Sequence, residues 1–307
     1  MPVIPAEAGI RGFLACYDMK KSPILIVVAF LAGLAGAWVF QSKNATDKPA
    51  HENTYDRVMR TQTLRCGYAV WTPFLLKDPN TGKLSGLFYD YTQALGEILG
   101  LKIEWTEEVS WGEFPAALDA GRIDAMCGGA YPNAARARVI DFVRPILYQP
   151  IYVYARAGDT RFDHNHSIIN DASITLTAVE GSMVGRVAVT DFPKAKAIML
   201  PELTSLAETF VNVASRKADV TVSNSATAEE YMANNPGKMR RVAGKPLHLA
   251  WNSIAIPGGQ YRFRQMLDIA TEELIANGQI ETIIAKHEKF PDTLLRPALP
   301  YRSSSVH

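Results

Sequence analysis

From residue 64 onward the apolar positions of this chain switch repeatedly between the period of a strand and that of a helix, the alternation expected of strand–helix units. Residues 64–68 read as a first strand. Asp90, with Gln93 three positions on, reads as a capping box that opens a helix. The apolar face of that helix is Tyr91, Ala94, Leu95, Ile98 and Leu99, and Gly100 stops it. Residues 102–105 read as a second strand, 114–118 as a short helix ended by Gly121, and 123–127 as a buried third strand. After an apolar stretch at 151–154 the pattern restarts with a strand at 174–179, a short helix at 183–190 and a strand at 197–200. A longer helix over 203–217 turns Leu206, Phe210 and Val213 inward, followed by a strand at 219–222 and a helix from about Ser225. A final helix over 261–277 carries Phe263, Met266, Leu267, Ala270 and Leu274 at helical spacing, and Gly278 ends it. The two rounds share a rhythm without sharing a sequence repeat. They predict an α/β architecture of mainly parallel sheets flanked by helices.

Composition sharpens this picture only in places. A chain of 307 residues, 48% hydrophobic, is long enough for two compact units. A net charge of +1 with no long basic run gives no footprint for nucleic acid. The N-terminus decides the compartment. Lys20-Lys21 precede an apolar run over residues 23–40, and polar Gln41-Ser42-Lys43-Asn44 follow, the order of an export signal or a single membrane anchor. Residues 1–18 fit neither signal nor fold and read as an extension upstream of a start at Met19. Residues 41–61 read as a linker and lead-in helix, and 291–307 as a tail. No lipidated cysteine is expected, because Ala37 stands where it should be. Of the three cysteines, Cys66 and Cys127 fall in apolar strand-like runs and read first as buried free thiols. An oxidising compartment leaves a disulfide open.

Candidate chemistry gathers at the ends of the first three strands. The first leads into Trp71-Thr72-Pro73-Phe74 and the second into Ser110-Trp111. The third leads into Gly128-Gly129-Ala130-Tyr131-Pro132-Asn133, with Arg136 three residues on. Ligands of parallel α/β sheets sit outside the carboxyl ends of the strands. Paired glycines admit a ligand to the backbone, Asn133 can cap a short helix, and an arginine there can grip a carboxylate through two parallel bonds. Taken singly, the tryptophans read more often as core or lobe-packing residues, and Arg136 alone reads as well as a solvated surface charge. In the second round, Glu180-Gly181-Ser182-Met183 forms a strand, turn and helix start, where Ser182 serves as an N-cap or an anion contact. Ser223-Asn224-Ser225 ends the next strand with polar groups.

Several stretches carry a resemblance: Leu64-Arg65-Cys66-Gly67, Pro73-Phe74, Gly82-Lys83-Leu84-Ser85-Gly86 with Asp90, residues 116–125, residues 136–142 and the Glu180-Gly181-Ser182 turn. In this order and spacing the chain, from about Thr54 to Phe290, resembles the family-3 bacterial solute-binding proteins of polar amino-acid ABC transporters. The resemblance implies a type 2 periplasmic-binding fold, two α/β lobes joined by a two-strand hinge. Lobe 1 would take residues 62–152 and 247–290, and lobe 2 residues 153–246. It implies that Trp71 and Trp111 sandwich the ligand side chain and that Gly129 and Tyr131 offer backbone groups. Arg136 would bind the carboxylate, and Ser182 and Met183 would complete that grip from lobe 2. It implies a periplasmic protein whose partners are an amino acid or related organic anion and a membrane permease.

The chain also departs from that pattern. Asn224 stands where amino-acid binders usually place an aspartate against the ammonium, and an amide does not neutralise a buried cation. Glu180 is the nearest carboxylate that could substitute. The resemblance extends to cyclohexadienyl dehydratases, for which Glu180 is the one nameable general acid, and to membrane-anchored ligand sensors. Binding without catalysis is the leading expectation. No nucleophile elbow or phosphate loop is present, and His164-Asn165-His166 lacks a nearby third ligand. No metal or other cofactor is expected.

Overall fold

The computed structural model describes residues 52–297. The expected extension, export segment and most of the linker and tail lie outside the described residues. Among the described residues no helix is long and apolar enough to cross a membrane.

The lead-in helix α1 (Thr54–Thr61) precedes strand β1 (Thr63–Tyr68), a small hairpin of β2 (Leu76–Lys77) and β3 (Leu84–Ser85), and helix α2 (Leu87–Leu99). Strand β4 (Lys102–Glu108), helix α3 (Phe114–Asp119) and β5 (Ala125–Ala130) complete the first round. A 3-10 turn (Arg136–Arg138) and β6 (Ile140–Phe142) lead to the long strand β7 (Leu147–Arg156). The second round runs β8 (Thr175–Val179), α4 (Met183–Asp191), β9 (Lys196–Leu200), α5 (Ala207–Ala214), β10 (Val220–Asn224), α6 (Ser225–Asn234) and β11 (Met239–Arg241). The chain returns on β12 (His248–Pro257) and ends in α7 (Tyr261–Ala276) and α8 (Gln279–His287).

The main sheet has the order β4-β1-β5-β12-β7-β10-β8-β9. Strands β4, β1 and β5 are parallel, as are β10, β8 and β9. The long strands β7 and β12 join these triplets and run antiparallel to each other, Leu147–Ile151 opposite His248–Asn252. One end of β12 pairs with β5 and β6, and the far end of β7 pairs with β10 and β11. This is the expected two-round α/β architecture, with two strands shared between the rounds.

Both triplets are fastened by the same device, which the sequence does not display as a repeat. Asp124 precedes β5 and accepts from the Arg65 amide in β1 (2.7 Å), while its own N–H donates to the Arg65 carbonyl (2.8 Å). Asp219 precedes β10 and accepts from the Thr175 amide in β8 (2.9 Å), while its N–H donates to the Thr175 carbonyl (2.7 Å). Each carboxylate also holds two arginines, Arg57 and Arg65 on Asp124, and Arg156 and Arg161 on Asp219. The Asp219 carboxyl lies below its ordinary pKa even though burial opposes this, because the Thr175 N–H and the two guanidiniums favour the anion.

Four local expectations change. Asp90 does not cap its helix. The N-cap is Gly86, whose φ of 113° and close approach to the Phe74 carbonyl exclude a Cβ. Asp90 sits in the first turn and binds Lys286 and His287 of α8 at 2.7 Å each. The helix expected over 203–217 is only α5, because a turn closed by Thr204 N–H on the Pro201 carbonyl (2.9 Å) occupies its start. At the other end Arg216 is left-handed, with φ of 67°. Strand β12 and helix α8 are elements that the apolar pattern does not pick out. Finally, Cys66 and Cys127 are not free thiols. They form a disulfide with Cα atoms 5.3 Å apart, between neighbouring strands β1 and β5. Their separation of 61 residues concealed a pairing that only strand order creates.

Closing a loop of this length restricts the unfolded chain by about 4 kcal/mol in the chain-entropy description. Replacing both cysteines by alanine should lower unfolding stability by most of that amount, read as a lower urea midpoint with a slope that rises because the unlinked unfolded chain exposes more surface. A midpoint equal to that of the parent would show that the crosslink contributes nothing.

Candidate functional site

The segment leaving β1 closes a tight loop, with Trp71 N–H on the Leu75 carbonyl at 2.9 Å. This turns the Trp71 indole under the chain, where its Nε1–H donates to the Gly128 carbonyl at 2.9 Å. Trp71 is 3% exposed. Its ring lies 4.3 Å from Phe74 and meets Trp111 and Tyr131 edge-on at 5.5 and 5.6 Å. The edge-to-face geometry places positive ring edges over negative faces. In this arrangement Trp71 and Trp111 touch one another. Gly129 is left-handed, with φ of 84°, and the Phe88 ring occupies the space a Cβ would need. Gly129 thus admits the protein's own aromatic ring to the backbone. The Tyr131 hydroxyl donates to Gln149 on β7, which also accepts from Asn252 on β12 at 2.9 Å. Burial pushes the Tyr131 phenol well above its usual pKa, so it remains a neutral donor.

Arg136 opens the 3-10 turn instead of lying one turn into a helix; the N-cap is Ala135, and Asn133 accepts from the Arg136 amide at 3.0 Å from the segment before it. Its guanidinium stacks over Phe114, 4.6 Å from the ring centre. Nη1 donates to the Tyr131 carbonyl (3.0 Å), and Nη2 donates to the carbonyls of Trp111 (2.6 Å) and Gly181 (2.9 Å). Three of the five N–H groups are therefore used, leaving the Nε and second Nη1 hydrogens. Among the described residues no carboxylate oxygen lies within 4.0 Å of this cation. Desolvation, with a smaller contribution from nearby Arg186, lowers its pKa to about 10. It stays charged at neutral pH, without a counter-ion.

The second-round residues converge on the same place through backbone turns. Gly181, with φ of 68°, packs against the Trp111–Gly112 peptide, where a Cβ would stand 2.6 Å from the Gly112 nitrogen. Ser182 caps α4: its Oγ accepts from the Gly185 amide (2.9 Å) and donates to the Val179 carbonyl (2.7 Å). Met183 follows at the first helical position, 9% exposed. Asn224 caps α6 through Oδ1 on the Thr227 amide at 2.9 Å and is 2% exposed. Thr227 in turn donates to the Thr72 carbonyl of the first round at 2.8 Å. Glu180 is exposed.

The predicted residues are divided between two openings. Trp71 and Trp111 line a cavity of about 640 Å³. Arg136 and Ser182 line a smaller one of about 300 Å³. The Trp111–Gly112 contact with Gly181 lies at the boundary, and Gly129, Tyr131, Met183 and Asn224 line neither. One residue was missed. Glu202, just past the end of β9, reaches across to accept from the Ser110 hydroxyl and lies against Gly112. The strand-end rule that singled out Trp71 and Arg136 would have found it.

Gly129→Ala should destabilise the fold by about 2 kcal/mol or more, since it adds a left-handed alanine to an overpacked contact. Denaturant titration checks this. A loss below about 0.5 kcal/mol would show that Phe88 yields freely.

Comparisons with known proteins agree with this architecture. A curated relative from Haemophilus influenzae, a probable amino-acid ABC transporter-binding protein, is 24% identical over 189 residues, covering 61% of this chain and 70% of the relative. An L-cysteine solute receptor of Neisseria gonorrhoeae superposes with a TM-score of 0.69 at 16% identity, covering 80% of this chain and all of the receptor. A reconstructed ancestral amino acid-binding protein, described as a precursor of cyclohexadienyl dehydratase, gives 0.68 at 24% identity over 77% of this chain and all of its own. A variant of ArgBP from T. maritima gives 0.67 at 20% identity, covering 78% of this chain and all of that one. These likenesses establish the type 2 periplasmic-binding fold. The family model of the bacterial extracellular solute-binding proteins, family 3, matches residues 64–290, and the chain belongs to that family.

Proposed function

We propose that this protein captures a small carboxylate-bearing solute, an amino acid or related organic anion, and delivers it to an ABC-transporter permease. The observation that carries this reading is the Arg136 cation, desolvated at the contact between the two rounds and paired with no carboxylate. An anion presented there meets two free N–H groups and gains from a cation already removed from water. The curated relative's name and the amino-acid binders among the structural neighbours support an amino acid within this class.

In this reading the lobes are residues 62–152 with 247–290, and 153–246, and β7 and β12 form the hinge about which they close. Arg136 to Gly181, Ser110 to Glu202 and Thr227 to Thr72 are the polar contacts of closure. Trp71, Trp111 and Ser182 are its wall at the two openings, and Gly129, Tyr131, Met183 and Asn224, which line neither opening as it stands, join that wall when the lobes open. The protein works in the periplasm, with residues 19–40 as export signal or inner-membrane anchor. It needs no catalysis and no cofactor. Glu180, the acid named for a dehydratase, is exposed, which supports binding as the favoured reading.

A thermal-shift panel of amino acids and organic acids tests this. A cognate ligand at about 100 times its Kd adds about 2.7 kcal/mol of apparent stability. Arg136→Ala should lose that stabilisation for every carboxylate ligand found. Stabilisation undiminished in Arg136→Ala would refute the assignment.

A further inference from the structure

We infer that Glu202 is the counter-ion for a cationic side chain of the bound solute, so that this cleft selects acids carrying a positive tail. The inference rests on the solute-binding reading above and extends it to specificity.

Glu202 and Arg136 stand on the two sides of one strip of backbone. Arg136 Nη2 donates to the Trp111 carbonyl, and the Glu202 carboxylate lies against Gly112. The two charges are not joined in an ion pair, although each comes from a different round of the fold. Glu202 faces the cavity of about 640 Å³ that Trp71 and Trp111 also line. That volume is in the range of small-molecule sites.

The charges around this cavity are lopsided: Asp78, Glu108, Glu202 and Glu230 against Lys77 alone. Three of these carboxylates are already engaged. Glu108 holds Lys77 at 2.7 Å, and Glu230 holds Lys289 at 2.8 Å. Asp78 is closed on its own turn by the amides of Asn80 (2.9 Å) and Thr81 (2.8 Å). Glu202 accepts from the neutral hydroxyl of Ser110, and among the described residues no cation lies within 4.0 Å of it. A half-buried carboxylate on a cavity that two tryptophans also line fits an ammonium or guanidinium, which gains a charge-assisted bond there. A second carboxylate in the ligand would meet only like charge. Asn224 is spent on capping α6, so Glu202, and not the position matched by Asn224, supplies the negative charge of the cleft.

The test is a calorimetric titration of the full exported domain with L-lysine, L-norleucine and L-glutamate, which share a head group and differ in tail charge. The wild-type protein should bind lysine about tenfold or more tighter than norleucine, the worth of one charge-assisted hydrogen bond, and glutamate weakest. In Glu202→Gln the lysine-to-norleucine ratio should fall about fivefold or more, while norleucine affinity stays within about twofold. Ser110→Ala, which keeps the carboxylate and removes its internal donor, should preserve or increase the preference for lysine. Equal or tighter binding of norleucine or glutamate by the wild type overturns the inference and leaves the solute-binding reading standing. An unchanged ratio in Glu202→Gln also overturns it, as does loss of the ratio in Ser110→Ala, which would assign the effect to the contact between lobes. A wild-type protein that binds none of the three overturns it as well. The wider acid panel with Arg136→Ala then decides the parent reading separately.

Discussion

A positive charge that is largely desolvated and that, among the described residues, meets no carboxylate organises the functional half of this molecule. Arg136 is held by three backbone carbonyls, two from its own round and one from Gly181 in the other. Carbonyl dipoles orient a guanidinium but do not neutralise it, so the site retains a demand for an anion. Each partner carbonyl belongs to a turn whose shape a glycine or a cap secures. Gly181 approaches Trp111 because it has no Cβ, and Ser182 fixes the turn by bonding its own backbone. The polar residues that look like ligand contacts are therefore the parts that hold the arginine in place.

Beneath this contact the structure is rigid for reasons unrelated to any ligand. Asp124 and Asp219 each fasten the third strand of a parallel triplet to the first, through the same pair of backbone bonds. The disulfide between Cys66 and Cys127 ties β1 to β5 immediately before their chains diverge to Trp71 and to Gly128-Gly129. The aromatic group of Trp71, Phe74, Phe88, Trp111 and Tyr131 is mounted on that base. A site on the ends of strands fastened in this way has its geometry set by the sheet beneath it.

The shared strands β7 and β12 carry Gln149 and Asn252, which are fully buried and bonded to each other. The Tyr131 hydroxyl joins them. The aromatic wall is thereby connected to the crossing point between rounds by neutral hydrogen bonds, in a region where an unpaired charge would be costly.

What the sequence determined by itself was the strand–helix rhythm and the chemistry at strand ends. Apolar period and glycine stops located β1, β4, β5, β8, β9 and β10 to within a few residues. These features are local, set by neighbours along the chain. The strands β7 and β12 are less legible because β7 is buried on both faces along most of its length and β12 from Asn252 onward, so they show no alternation. Only tertiary structure decided the rest. The Cys66–Cys127 bond depends on β1 lying beside β5. The cap at Gly86 depends on the Phe74 carbonyl, and the role of Glu202 depends on β9 ending opposite Ser110 and Gly112. Each of these is a contact between residues far apart in sequence, created by strand order, and one chain read in isolation carries no record of strand order.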